Sequence, residues 1–442
     1  MTIEELRDAV AAGRIDTIVL GFADMQGRLQ GKRFTAQHFL DTVLDAGSEA
    51  CNYLLAVDVE MNPAPGYEMA SWERGYGDFE TVPDPSTLRI TPWNEGSALM
   101  LSDLTWHDHS PVLASPRQIL RAQLDRLGER DWSALAATEL EFIVFDESYR
   151  EATAVDYRNL TPANHYNLDY SILGASDVEP MIRRIRNEMT EAGMVVENSK
   201  GECNLGQHEV NFKYADALTT ADDHIVYKTG AKEIAIQEGM SITFMAKYDA
   251  REGNSCHVHF SLRDGSDAPV FADSPEVFDS FLSGVLASLR EMTLFHAPHV
   301  NSYKRFAEGS FAPTTVAWGN DNRTCAVRVI GQGPARRLEL RSPGADVNPY
   351  LSIAAIIAAG LDGVDRGLPP TEPLAGNAYV SDMERLPSTL GEAQRLFAES
   401  SLARSAFGDE VVDHYVNNAQ VELDAFNSAV TDWELRRGFE RF

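Results

Sequence analysis

Three stretches of the chain alternate apolar and polar residues with a period of two, which predicts strands with one polar face each. They are residues 136–146 (A-A-T-E-L-E-F-I-V-F-D), 256–262 (C-H-V-H-F-S-L) and 336–341 (R-R-L-E-L-R). The first places Glu139 and Glu141 on one face, the second His257, His259 and Ser261, and the third Arg337, Glu339 and Arg341, one carboxylate between two guanidiniums. Other patterns fill in the chain. A short helix is expected over 1–13, then a hairpin of strands 17–22 and 28–34 about the turn 24–27, then small sheet elements to about residue 105, broken by Pro and Gly. Ser115-Pro116 opens a helix with Ile119, Leu120, Leu124 and Leu127 as its buried stripe. Further helices are expected from a capping box at Ser176 and Glu179, over 220–238 with Gly239 as its stop, and over 274–296. A strand is expected at 194–198, and the long segment 298–318 reads as a lid. Asn348-Pro349 caps a helix, 351–361, that is apolar nearly all round and therefore buried, and two or three amphipathic helices finish the chain. The fold class is α+β, divided near residue 110 into 1–109 and 110–442.

Composition narrows the function. With 442 residues, 44% of them apolar, the chain can bury a large core, and a formal charge of -29 argues against binding nucleic acid or an anionic membrane. No apolar run approaches the roughly 18 residues of a membrane span and no secretory segment follows Met1, so a soluble cytoplasmic protein is expected. Cys51, Cys203, Cys256 and Cys325 are widely spaced, which suits a reducing compartment and thiols acting as small buried hydrophobes. Neither Gly-x-Gly-x-x-Gly nor a P-loop is present, so a nucleotide must be held in some other way.

The polar faces carry the chemistry. Like charges at i and i+2 on a strand repel unless a cation neutralises them, and Glu oxygens with His nitrogen suit a divalent metal. Five acids (Glu139, Glu141, Glu202, Glu209, Glu339), two histidines and four arginines (Arg305, Arg323, Arg328, Arg341) form the inventory of metal-assisted phosphoryl transfer, with an ion-pair ladder inside a polar barrel as the competing reading.

Eight stretches taken together resemble the glutamine synthetases: G-D-F-x-x-x-P-D-P-S-T-L-R-I-x-P-W (77–93), E-L-E-F (139–142), G-Q-H-E (206–209), H-V-H-F-S-L (257–262), N-S-Y-K-R (301–305), N-R-T-C-A-V-R (322–328), R-R-L-E-L-R (336–341) and N-P-Y-L (348–351). The resemblance implies a beta-grasp N-terminal domain and a catalytic domain whose curved antiparallel sheet forms a two-ended funnel surrounded by helices. It also implies a dodecamer of two hexameric rings with sites between neighbours. The implied reaction uses ATP, L-glutamate and an amine, through γ-glutamyl phosphate, with two or more Mg2+ or Mn2+ ions per site. By position, Glu141, Glu202 and Glu209 match ligands of the amino-acid-side metal, and Glu139, His257 and Glu339 ligands of the ATP-side metal. His259 and Ser261 match nucleotide-side residues, Arg323 and Arg328 phosphate binders, Arg305 and Arg341 glutamate-carboxylate binders, and Gly253 a backbone contact to the glutamate amino group.

The pattern breaks at the amine. Where the family carries a glutamate before Ala-Pro, this chain has Phe311, and the family's D-G-S-S phrase is absent from 51–62. Loss of two carboxylates disfavours ammonium and points to a small alkylamine such as ethanolamine, as in the γ-glutamyl-monoamine synthetases that the chain resembles. A γ-glutamylpolyamine synthetase is the alternative, with Asp58, Glu60 and Glu308 available for a second positive charge. An ordinary glutamine synthetase and a catalytically silent relative are the remaining readings. Glu308 and Glu209 are the acids available to deprotonate the amine. Tyr379, in N-A-Y-V-S-D, does not reproduce the family's adenylylation phrase.

Overall fold

In the computed structural model, which describes residues 1–441, the chain builds two sheets joined by a buried polar hinge. The first comprises β1 (Thr17–Ala23), β2 (Leu29–Thr35), β3 (Ser48–Cys51), β4 (Asp78–Pro83), β5 (Arg89–Ile90) and β6 (Ser97–Thr105), in the order β2-β1-β6-β4-β3 with β5 on β6. β1 runs parallel to β6, and helical turns over 36–46 cross one face, as a beta-grasp requires. Alternation in β6 explains the layering: Ala98 and Met100 pack with Leu6, Phe39 and Val43 beneath those turns, while Leu99 and Leu101 face the main core.

The hairpin turn meets the second unit. Asp24 Oδ1 accepts from the backbone N–H groups of Gln26 and Arg28 at 3.0 and 2.8 Å, closing the turn. Asn348 Nδ2 donates to the carbonyls of Asp24 and Met25, both at 3.1 Å, while its Oδ1 accepts from Tyr350 N as the cap of the helix Pro349–Asp365. One asparagine therefore fixes the hairpin against the buried helix. Nearby, the buried Arg117 guanidinium meets Asp222 at 2.9 Å, Asp103 at 2.6 Å and Asp84 at 2.7 Å. Arg121 also pairs with Asp84 and Asp103, so the buried Arg117–Asp222 pair is the part whose disruption would strand a charge, a reason for both sheets to keep one arrangement.

The second sheet contains β7 (Trp132–Phe145), β8 (Val196–Gly201), β9 (Gln207–Phe212), β10 (Ala215–Asp216), β11 (Ser241–Thr243), β12 (Cys256–Asp264), β13 (Trp318–Asn320), β14 (Val327–Ile330) and β15 (Arg337–Leu340). Its order is β13-β14-β15-β12-β7-β9-β8, antiparallel except at β13–β14, with β10 and β11 also on β7. Helices cover its apolar face. Pro275–His296 and Pro349–Asp365 cross closely, since a Cβ on Gly284 would lie 2.2 Å from the Ala359 carbonyl oxygen and 2.7 Å from Gly363 Cα. No helix among the described residues is long and apolar enough to cross a membrane.

Several expectations need correction. Ser176 does not cap a helix: the helix starts at Glu179 with Val178 at its cap, Pro180 in the first turn sets that start, and the Ser176 hydroxyl donates to Ile172 O. Leu124 is only half-buried, and the helix Pro116–Gly128 buries Arg117 and Gln123 as well. The chain closes with four helices, Leu390–Glu399, Ser401–Phe407, Asp409–Ser428 and Asp432–Gly438. Cys256 and Cys325 are buried as expected, whereas Cys51 and Cys203 are half-exposed.

Candidate active site

Strand register assembles the polar faces into two adjoining rows. His257 lies opposite Glu139 across β12 and β7, while Glu339 lies opposite His259 across β15 and β12 and opposite Arg328 across β14. On the other side of β7, Glu141 lies opposite Glu209, which lies opposite Lys200 of β8. Two groups of metal-competent atoms match those expected, Glu139, His257 and Glu339 in one and Glu141, Glu202 and Glu209 in the other, each with its ligand atoms within 4.8 Å of one another; a third, more exposed group, Asp169, Glu202 and Cys203, shares Glu202.

The two groups differ electrostatically. Burial would raise the Glu139 carboxyl, yet hydrogen bonds with His257 and His259, at 3.1 and 2.8 Å, hold it well below the usual carboxylate range. Glu339 is likewise buried but kept low by His257 and Arg341. His257 itself is pushed down to about 4 by burial and by Arg341, so its imidazole is neutral, and its buried Nε2 has no partner. In the other group burial and mutual repulsion win. Glu141 rises well above the ordinary value through burial, Glu202 and Glu209, and Glu209 is pushed up to about 7 by burial, Glu139 and Glu202. Burial also raises Glu202, against an ion pair with Lys200. A group of three acids with so little compensating charge is where a divalent cation gains most.

This difference makes a stability prediction. A carboxyl raised from its ordinary value to about 7 costs nothing below its unfolded pKa and destabilises the fold progressively as pH rises toward 7 and above. Without divalent metal, Glu209→Gln should therefore be more stable than the parent by on the order of 2 kcal/mol near pH 8, the gap shrinking to a few tenths toward about pH 4.5. Thermal melts in EDTA across that range check it, and excess Mg2+ at the upper pH should reverse the order.

A cavity of about 1140 Å3 is lined by Glu139, His257, Glu141, Glu202 and Glu209 together with Gly253, Phe311, Arg323, Arg328 and Arg341, while Glu339 is buried behind its wall. A smaller one, about 540 Å3, holds His259, Ser261, Arg337 and Tyr214 and shares Glu139 with the first. The two cavities adjoin along Glu139, Asn198 and Asn211. Gly253 permits close approach: a Cβ there would stand 2.3 Å from Ala246 O and 2.9 Å from Arg305 Cγ. Gln207 Nε2 reaches the Gly253 carbonyl at 2.9 Å and Glu141 at 3.0 Å, and Ser255 N donates to Glu141 at 2.7 Å.

The arginines are placed differently from one another. Arg305 is buried, its Nη2 donating to the carbonyls of Arg341, Ser342 and Pro343 at 2.8, 3.0 and 2.5 Å, while Nε and Nη1 stay without partners. Burial lowers it to about 10, so it remains a cation. Arg341 pairs with Glu339, reaches the Phe311 carbonyl at 3.3 Å and has an unpartnered Nε. Arg328 spans Glu339 at 2.8 Å and Asp321 at 2.5 Å, and Arg323 is exposed on the cavity wall. Arg337 does not clamp Glu339; its Nε turns to His259 Nδ1 at 3.2 Å, because Arg328, directly opposite Glu339, takes that place.

Of the residues expected at the amine, Phe311 is on the cavity wall, 53% exposed and with φ +56. Glu308 is not: it is exposed and faces Arg385 at 3.6 Å. Asp58 accepts from Asn62 N and Nδ2 at 2.7 and 3.0 Å, and neither it nor Glu60 lines the cavity of its own chain. Gln207 was missed as a support of Glu141, although it shares parity with Glu209 in G-Q-H-E. Asp169 and Tyr170 were also missed, since they lie on the cavity wall in a loop that has no period to read.

Comparison with known proteins agrees with this geometry. Residues 113–438 match the glutamine synthetase catalytic domain. The chain is 61% identical over 442 residues to gamma-glutamylethanolamide synthetase GlnA4 of Streptomyces coelicolor, covering 99% of this chain and 96% of that one. It is 40% identical over 446 residues to a glutamate–isopropylamine ligase of a Pseudomonas species, covering 98% and 97%. A solved complex of GmaS with ADP superposes with a TM-score of 0.86 at 27% identity, over 98% of this chain and 99% of the other. By the length of these matches and by the two acid groups its register assembles, the chain belongs to the glutamine synthetase family.

Proposed function

We propose that this chain is an ADP-forming ligase that joins the γ-carboxylate of L-glutamate to a short alkylamine, ethanolamine first. The observation that carries the reading is a cavity lined by Glu139, His257, Glu141, Glu202 and Glu209 and by Arg323, Arg328 and Arg341, with Phe311, not a carboxylate, at the position counted from the motif. The named activities of the ethanolamide synthetase and the isopropylamine ligase support it. Glu141, Glu202 and Glu209 would hold one Mg2+ or Mn2+, and Glu139, His257 and Glu339 another. Such ions neutralise the polyphosphate and orient the transferred group.

The chain's own residues do the rest. Arg305, with two buried unpartnered donors beside Gly253, suits the α-carboxylate of glutamate, and the Gly253 carbonyl suits its amino group. Arg341, with Arg323 and Arg328, suits the charge of the moving phosphoryl group, while His259 and Ser261 in the smaller cavity suit the nucleotide. A γ-glutamyl phosphate forms, and the amine displaces phosphate from it. Glu209, on the cavity wall, is better placed for proton acceptance than Glu308, which faces Arg385. A polyamine product is the weaker reading, because the named activities of the two relatives are toward short monoamines. We also divide the chain functionally at 109/110 and place it in a dodecamer of two hexameric rings, for which the exposed Trp72, Trp433 and Phe439 offer apolar contact surface.

Glutamate carrying heavy oxygen in its γ-carboxylate tests the reaction. One labelled oxygen should appear in the released phosphate for each amide formed. Phosphate without label would replace an acyl-phosphate route with simple ATP hydrolysis.

A further inference from the structure

Three arginines are buried among the described residues, Arg117, Arg305 and Arg341. Arg117 meets Asp222 at 2.9 Å and Arg341 pairs with Glu339, but Arg305 has only the backbone carbonyls of Arg341, Ser342 and Pro343 on its Nη2. A guanidinium out of water needs a counter-charge, and the like charge of Arg341 nearby adds to that need. Two carboxylates act on Arg305, Glu141 and Asp346. In the ligase reading, on which this inference rests, Glu141 is given to a divalent cation, which leaves Asp346.

Asp346 is firmly placed. Its turn is pinned on both sides: Ala345 N donates to Asn254 O at 3.0 Å, Ala345 O accepts from the Lys228 ammonium at 2.8 Å, and Val347 N donates to Gly344 O at 3.0 Å. Asp346 Oδ2 accepts from the Ser302 hydroxyl at 2.6 Å, and the buried Ser302 in turn accepts from His299 N at 3.0 Å. Oδ1 is shielded from solvent and has no partner, as is also true of Arg305 Nε and Nη1. Those unpartnered ends flank one point, since a Cβ on Gly344 would lie 2.7 Å from Asp346 Oδ1 and 3.5 Å from Arg305 Nε. Gly344 has no left-handed φ, so what it supplies is space between carboxylate and guanidinium. Arg305 also runs close beneath Gly253 on the cavity wall, where a Cβ would stand 2.9 Å from its Cγ, so a shift of its side chain reaches the glutamate site.

We propose that Asp346 is a positioning residue for the ligation: held by Ser302, its carboxylate faces Nε of Arg305, balances that buried charge and leaves Nη1 for the α-carboxylate of glutamate. Asp346 does not line the cavity, so its effect passes through Arg305.

Steady-state kinetics of Asp346→Asn, Arg305→Lys and the double variant test this. Asparagine keeps the shape and can still accept from Ser302, so only the charge is lost. KM for glutamate should rise about tenfold, with kcat lowered less than about threefold and KM for ATP within about twofold. In the Arg305→Lys background the same substitution should add less than about twofold, because the two residues act as one unit. Ser302→Ala, which releases Oδ2, should raise KM for glutamate about threefold, and that rise too should vanish in Arg305→Lys. An unchanged KM for glutamate in Asp346→Asn overturns the proposal. So does an equal loss in KM for ATP, or a second full tenfold loss in the Arg305→Lys background, the mark of two independent effects. If Asp346→Asn does not fold, Ser302→Ala in the two backgrounds decides by the same rule. A parent enzyme whose ATP turnover is independent of glutamate would instead remove the ligase reading itself.

Discussion

Replacing Glu141 with glutamine should lower turnover by about a thousandfold or more, because a cation held by Glu141, Glu202 and Glu209, as proposed, would lose a charged ligand where charge matters most. Glu141 is buried, repelled by Glu202 and Glu209, and fixed by Ser255 N and Gln207 Nε2. Glutamine keeps the shape and can still accept from Ser255 N, so the backbone contact survives. The metal-free variant should melt no lower than the parent, since a repelled buried carboxyl has been removed. It should also lose most of the thermal stabilisation that Mg2+ or Mn2+ confers on the parent. Measuring kcat beside melting temperature with and without metal separates this account from misfolding. A variant that keeps full activity in excess EDTA would return the three acids to a structural role.

The second large effect belongs to Arg341. Arg341→Lys should reduce kcat by roughly a hundredfold, with a smaller change in KM for glutamate, because one guanidinium performs three tasks. It neutralises the buried Glu339, reaches the Phe311 carbonyl and keeps a buried, unpartnered Nε. An ammonium can keep the ion pair with Glu339 but cannot hold the Phe311 backbone as well and still present a donor to the phosphoryl group. Arg328, which spans Asp321 and Glu339, should be less sensitive to the same change. Equal activity of Arg341→Lys and the parent would leave Arg341 as a member of a salt-bridge ladder only.

Why some of this was legible and some was not follows from how each residue is held. Period-two alternation exposes a strand face, so Glu139, Glu141, His257 and Glu339 could be read as inward neighbours from single stretches. Register across strands is invisible in a single stretch, and for that reason Arg337 was given to Glu339 when Arg328, opposite it on β14, holds the place. The motifs that carry the family resemblance supplied the grouping into two metal sets, which alternation alone left open. The segment between β7 and β8 resisted reading for another reason. Asp156, Tyr157, Asn159 and Tyr170 all have positive φ there, with no glycine to announce it, so the turn that brings Asp169 and Tyr170 to the cavity had no local signal. Phe311, reached by counting from a motif, lies on the cavity wall, while Glu308, three residues away, does not, because loop residues do not keep a fixed face.

The central claim is that the amine pocket has exchanged charge for carbon. The most direct measurement is a competition of ammonium and ethanolamine at saturating ATP and glutamate, with each product identified by mass. Two methylenes at about 0.8 kcal/mol each favour ethanolamine by roughly tenfold in kcat/KM. The account predicts γ-glutamylethanolamide as the dominant product at equal amine concentrations. Glutamine as the dominant product, with ammonium giving the higher kcat/KM, would contradict it.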